Sequence, residues 1–318
     1  MEWNATVEDK IGINFKHREL LYLAMMHPSY AQQINEPEEN NQRLKFLGEA
    51  ILNFVITDYL YYNCPYLPMS KLSALRSKLL SGERLTKHWF LLGIGDSYPL
   101  LALKEERHRL RQKKNNPFID AYFALVGAIH LDRGFSQTRN WLHKNLLTPT
   151  LGHHLKKIKK RDDPQQQLEF LSQALIKAIA TDYIYRNLPY VSPNQLSHSY
   201  KQLASKQLLT AYNRQISLED FSLLSEPPEG KKLPSQPFLV LLGSLYLEYD
   251  AANYKRSFPD ASSWFTKKFV EEETILRQAI ERLLKDGKSQ KWIIRQVMGY
   301  ESKNYHEGRE RFHELMGE

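Results

Sequence analysis

An all-α protein, built from two tandem helical domains and a small C-terminal helical module, is predicted by three observations. Apolar residues recur at helical spacing, the periodic segments repeat at one constant offset, and the length leaves room for two cores. At 318 residues the chain matches about two domains of ~100–200 residues. Hydrophobic residues make up 42% and charged residues 25%, ordinary globular usage that excludes a mostly disordered chain. No apolar run reaches the ~18–20 residues of a spanning helix, and the opening MEWNATVEDK has no signal-peptide pattern. A soluble protein that engages no membrane and stays in the reducing cytoplasm is therefore expected. The single cysteine, Cys64, excludes an internal disulfide or a cysteine-based zinc site and leaves carboxylates as the metal ligands to look for.

The elements follow in chain order. Leu44, Leu47, Ile51, Val55 and Leu60 recur every 3 to 5 residues and Pro65 closes the run, which predicts a helix over 44–62. Residues 70–85 read as a helix pair. Residues 119–131 are almost wholly apolar, as in a helix buried on all sides, with one carboxylate, Asp120, at its head. Residues 44–89 then align without gaps onto 168–213 at an offset of 124, with identities that include Leu44/Leu168, Phe46/Phe170, Asp58/Asp182, Pro65/Pro189 and Ser81/Ser205. PFIDAYFALVGAIHLD (117–132) is echoed by PFLVLLGSLYLEYD (237–250), with a shorter stretch before the glycine. Such a period means duplicated domains and not a solenoid. The expected division is a first domain at 1–151, a basic linker at 152–164, a second domain at 165–264 and a three-helix module at 265–318. In that module Gly287-Lys288-Ser289 opens the second helix, Gly299 closes it, and a third starts near Ser302. This pattern resembles a helix-turn-helix, with Lys288, Lys291, Arg295, Lys303, Arg309 and Arg311 as its nucleic-acid contacts, but the segment is near neutral, with 11 basic and 10 acidic residues, and a protein-docking or domain-closing role is the favoured reading.

Charge is unevenly placed. The net charge is +8, which favours a polyanionic partner, yet residues 101–161 alone carry 14 lysines and arginines against 4 acids. Arg107, Arg109, Arg111, Lys113 and Lys114, with Lys156, Lys157, Lys159 and Lys160, are the expected phosphate-contacting residues; a solvated linker is the plainer reading of the second run. His27, His153 and His154 read as surface or packing residues. Tyr59, Tyr61, Tyr183 and Tyr185 lie on amphipathic helices and read as core or interface packing.

Four segments together resemble the catalytic domain of the ribonuclease III family. They are VEDKIGINFKHRELLYLAMMHPSY (7–30), NQRLKFLGEAIL (41–52), LSALRSKLLSGERL (72–85) and FIDAYFALVGAIHLDRG (118–134). The second copy resembles the family only through the first, and the tandem arrangement is similar to that of Dicer and Drosha. The resemblance implies a divalent metal, normally Mg²⁺, held by four acidic positions. In the first copy these fall on Lys45, Glu49, Asp120 and Phe123, so two of the four carboxylates remain; in the second they fall on Glu169, Gln173, Gln236 and Leu239. Phe123 removes a ligand and Lys45 puts a cation where the metal's charge belongs. The expectation is that Lys45 replaces the metal by pairing with both Glu49 and Asp120, leaving a catalytic remnant that holds no metal and needs no cofactor. Mg²⁺ on Glu49 and Asp120 would accompany only residual nuclease activity.

The resemblance implies an RNA-binding pseudonuclease that holds structured or double-stranded RNA in a ribonucleoprotein or RNA-maturation setting, as a monomer whose two domains pair within one chain. Two alternatives remain open: a divergent metal-dependent endoribonuclease acting on double-stranded RNA, and a scaffold that pairs with another protein.

Overall fold

A computed structural model describes residues 2–37, 39–94, 117–152, 162–188, 191–226, 233–270, 272–301 and 303–317. All regular elements among the described residues are helices: α1 (Glu2–Ile11), α2 (Arg18–Met25), α3 (Pro28–Gln33), α4 (Gln42–Asn63), α5 (Met69–Leu79), α6 (Gly82–Leu91) and α7 (Pro117–Leu142), then α8 (Pro164–Asn187), α9 (Pro193–Ala204), α10 (Lys206–Gln215), α11 (Pro237–Asn253) and α12 (Ser257–Phe269), and finally α13 (Glu272–Lys285), α14 (Gln290–Gln296) and α15 (Tyr305–Met316), with three short helical turns at His143–Leu147, Thr148–Leu151 and Glu219–Leu223. No helix among the described residues is long and apolar enough to cross a membrane.

The repeat is legible in helix ends. α6 begins after Ser81, whose side chain accepts from Arg84 N, and α10 begins after Ser205, whose side chain accepts from Leu208 N. The two N-caps stand 124 residues apart and start helices of the same length. α7 runs further than 119–131, continuing to Leu142 across a non-helical Gly134 at φ 79°, ψ 171°, a conformation open to glycine alone. The third helix of the C-terminal module starts at Tyr305 and not near Ser302, because the chain leaves α14 through Gly299 at φ 78° and uses the next residues as a turn.

α4 and α7 form the centre of the first half and cross at glycines. A Cβ on Gly48 would collide with the Phe123 carbonyl oxygen, and one on Gly127 with that of Leu44. The backbones therefore meet without side chains between them. α8 and α11 make the corresponding pair in the second half, with Ser172 in the place of Gly48 and Gly243 in that of Gly127. α11 begins six residues before its glycine where α7 begins ten before, so about one helical turn is missing at its head.

The halves meet along α4 and α8, and one hydrophobic core runs from Val7 through Leu47, Ile51 and Val55 to Leu175, Ile179 and Phe265. Their polar contacts are reciprocal. Tyr246 Oη donates to Asp58 at 3.0 Å, while His130 Nε2 lies 3.0 Å from Asp182; Asp58 and Asp182 are repeat counterparts, as are His130 and Tyr246, each three residues beyond the crossing glycine. Arg43 donates to the carbonyls of Val191 and Leu188, and its counterpart Gln167 donates to those of Leu67 and Pro65. α5 packs on α8, with Arg76 4.2 Å above the Phe170 ring, while α9 packs on α4. An exchange in which i meets j and j's counterpart meets i's counterpart marks an isologous interface. Tyr59 and Tyr61 are buried in the shared core.

Candidate functional site

The α4–α7 crossing sets the first pocket. Lys45, one turn before Gly48, and Asp120, two turns before Gly127, lie together at its mouth, with the Lys45 ammonium 2.8 Å from Asp120 Oδ1. Gln42 Nε2 approaches the other Asp120 oxygen at 3.3 Å. Both oxygens thus face donors. Phe123, one turn along α7 from Asp120, is buried in the core.

Glu49 departs from expectation. It does not pair with Lys45; its one ion pair among the described residues is with Lys177 of the second half, at 4.0 Å. Lys45 and Glu49 share a helix face as i and i+4, but the Lys45 ammonium turns to the less exposed carboxylate, 27% against 51% exposed, where solvent screens the attraction less. The two remaining acids are consequently separated, one in the pocket and one at the seam between halves.

The same positions in the second half meet in the same way with other chemistry. Glu169, counterpart of Lys45, accepts 2.9 Å from Gln236 Nε2 and 3.0 Å from Gln165 Nε2. Gln236, the N-cap of the shortened α11, stands seven residues before Gly243 as Asp120 stands seven before Gly127, an amide in the place of the acid. Leu239, which stands for Phe123, is fully buried.

Neither pocket fits a divalent cation of the Mg²⁺ type. Such an ion takes about six hard oxygen ligands, carboxylates prominent among them. The first pocket offers one carboxylate already bonded to an ammonium, and the second offers one carboxylate held by two amides. No group of three or more His, Cys, Asp or Glu able to hold a metal occurs among the described residues.

Arg107, Arg109, Arg111, Lys113, Lys114, Lys156, Lys157, Lys159 and Lys160, together with His153 and His154, lie outside the described residues. Two other cations of the basic region are internal to the fold. Arg133 pairs with Asp132 at 3.3 Å, and Arg139 pairs with Asp58 at 2.9 Å and Asp250 at 2.6 Å. His27 caps α3, accepting from Ser29 N. Asp132 accepts from the backbone N–H groups of Lys16 and His17 at 3.0 and 2.8 Å, and its counterpart Glu248 accepts from Ser225 N at 2.8 Å, so both copies pin a neighbouring loop with an acid five residues beyond the crossing glycine.

A family profile described as Ribonuclease-III-like matches residues 17–150. Among curated relatives, the Ribonuclease 3 of Pseudomonas aeruginosa is 37% identical over 172 residues, covering 52% of this chain and 68% of that protein. The chain belongs to the ribonuclease III family. The Ribonuclease 3 of Protochlamydia amoebophila is 35% identical over 139 residues (44% of this chain, 57% of the relative), and that of Borreliella burgdorferi 38% over 134 residues (42% and 54%). The chain thus spans little more than half the length of these two ribonuclease III relatives, and the profile match ends before α8.

Reading the residues one by one missed the interface network of Asp58, Arg139, Asp250, Tyr62 and Tyr246. Asp58 is completely enclosed; burial pushes its carboxyl up to about 6, against the pull of the Arg139 guanidinium and the Tyr246 hydroxyl. Burial also raises the Tyr62 hydroxyl, helped by Asp250. The available signal was an aspartate kept at both 58 and 182 inside otherwise apolar helices. A buried acid retained in two copies needs a partner in each.

Proposed function

We propose that this chain is a ribonuclease III-like pseudonuclease that holds structured or double-stranded RNA, with its two halves paired as an intramolecular dimer. The observation that carries the reading is the Lys45 ammonium bonded to Asp120 at 2.8 Å, in the pocket where the family resemblance implies a divalent ion, with Phe123 at a further ligand position. A fixed cation there neutralises Asp120 but brings no activated water, so the charge is balanced and the hydrolytic step is lost. Binding does not require the metal. Double-stranded RNA is recognised largely by shape, phosphate and 2′-hydroxyl contacts, for which the basic stretch 101–161 and a net charge of +8 are suited. The reciprocal contacts between halves support pairing within one chain, as a monomer needing no cofactor. A cytoplasmic ribonucleoprotein or RNA-maturation complex is the setting this reading favours.

The test is incubation of the full chain with long double-stranded RNA and Mg²⁺ or Mn²⁺, read for both products and mobility shift. A shift without products is expected. Metal-dependent cutting that disappears in Asp120→Asn would establish the endoribonuclease instead, and neither shift nor products would leave a scaffold for another protein.

A further inference from the structure

Residues beyond 270 lie outside the region matched by the family profile, and the described structure gives them a defined mounting. Ala279, Ile280 and Leu283 of α13, Ile293 and Ile294 of α14, and Phe312 and Leu315 of α15 share one buried cluster with Ala180, Ile184, Leu196 and Leu203 of α8 and α9. Gly287 and Gly299, both at φ 78°, let the chain leave α13 and α14 in the left-handed conformation. At Gly308 the lack of a side chain lets α15 close on Tyr300 and Ile294. The inner face of α14 is therefore fixed to the second half.

Its outer face carries charge. Lys288, Lys291 and Arg295 are exposed; Lys291 and Arg295 share one face of α14 as i and i+4, and Lys288 stands just before its N-cap, Ser289. The Lys288 ammonium lies 4.8 Å from the Trp292 ring centre and the Arg295 guanidinium 5.7 Å from that of Tyr305. Aromatic faces orient such cations without neutralising them. Four acids of the module are engaged elsewhere: Glu281 with Arg277, Glu310 with His306, Glu314 with Arg311, and Asp286 with the Gln195 amide. The Arg311–Glu314 pair also removes Arg311 from the contacts available to a partner. Neither Lys288 nor Lys291 has an acidic partner among the described residues.

We propose that the outer face of α14 binds the phosphodiester backbone of a nucleic-acid duplex. A duplex presents a negative charge every ~1.7 Å along its axis, a density that meets a group of oriented cations. The proposal goes beyond the RNA-holding reading, since it requires a phosphate backbone and not RNA in particular.

The experiment measures binding of the full chain by fluorescence anisotropy at several salt concentrations between about 50 and 200 mM. Its probes are a labelled RNA duplex, a DNA duplex of the same sequence and a polyglutamate peptide. Lys288→Gln with Lys291→Gln is compared with wild type and with Lys206→Gln with Lys255→Gln, exposed lysines of the second half. The first pair should reduce the magnitude of the log-affinity against log-salt slope by about 1.8, which is two phosphate contacts on a duplex, with an unchanged thermal midpoint; the control pair should leave the slope as in wild type. Reduction on RNA alone, DNA alone or both supports the surface and names the source of the phosphate. An unchanged slope on both duplexes overturns it, as does a loss confined to polyglutamate, which would assign the face to an acidic protein. Wild-type binding to DNA through these lysines without RNA binding keeps the proposal and removes the RNA-holding reading. RNA binding with an unchanged slope does the reverse, and binding to neither duplex removes both.

Discussion

Lys45–Asp120 and Arg139–Asp58 are both ion pairs near 2.9 Å, yet they differ in what their loss should cost. The first is about 30% exposed on each side, where pairs contribute about 0–1 kcal/mol after solvent screening. Lys45→Met should therefore change urea stability by less than about 1 kcal/mol. Arg139 instead stands between Asp58, which is fully enclosed, and Asp250. Arg139→Ala strands two carboxylates at the seam and should cost about 3–5 kcal/mol. Equal losses in the two variants would refute this ordering. Asp58 adds a pH dependence. Its folded pKa, about 6, lies above the ordinary 3.8, so the folded state holds this proton more tightly than the unfolded one; its contribution is complete below 3.8 and is lost as pH rises through about 6. The stability cost of Asp58→Asn should accordingly shrink between pH 4 and pH 7 in urea titrations run on both proteins; a cost independent of pH would contradict the assignment.

At the scale of elements, the pockets depend on how closely two helices cross. The α4–α7 crossing brings backbone against backbone, so a methyl group on Gly127 meets the Leu44 carbonyl, which cannot move without shifting a helix. At Gly243 the atoms met first are side-chain atoms of Ser172 and Leu168, which can adopt other rotamers. Gly127→Ala should thus destabilise by about 3 kcal/mol, the upper part of the overpacking range, and Gly243→Ala by about 1 kcal/mol; chemical denaturation with a reversed order would show that the crossing is not what holds the helices at this spacing. The same crossing sets Lys45 beside Asp120 and Glu169 beside Gln236, two pairs that share a position and differ in charge.

For the whole molecule, the consequence is a satisfied interface. Asp58, Asp182, Arg43 and Gln167 each find a partner in the opposite half of the same chain, and the core is continuous across the seam. On the proposed pairing within one chain, no second copy is needed to cover α4 or α8. Light scattering at micromolar concentration should give the mass of one chain, 37.4 kDa. A stable mass of twice that value would mean that the halves pair between chains.

The amino-acid sequence by itself determined the helical class, the repeat at offset 124 and the family, because periodicity, identities in register and four ordered motifs are local properties of the chain. The family resemblance implied that Lys45 and Phe123 stand where carboxylates are expected, a difference that is visible residue by residue. Tertiary structure alone decided which partner each charge takes. Lys45 and Glu49 are neighbours on one helix, but α7 brings Asp120 to the lysine and α8 brings Lys177 to the glutamate. Arg139, one of fourteen cations in the basic region, turns inward to two aspartates that are 81 and 111 residues away in sequence. Charges act through space, and only the packed arrangement of helices fixes those distances.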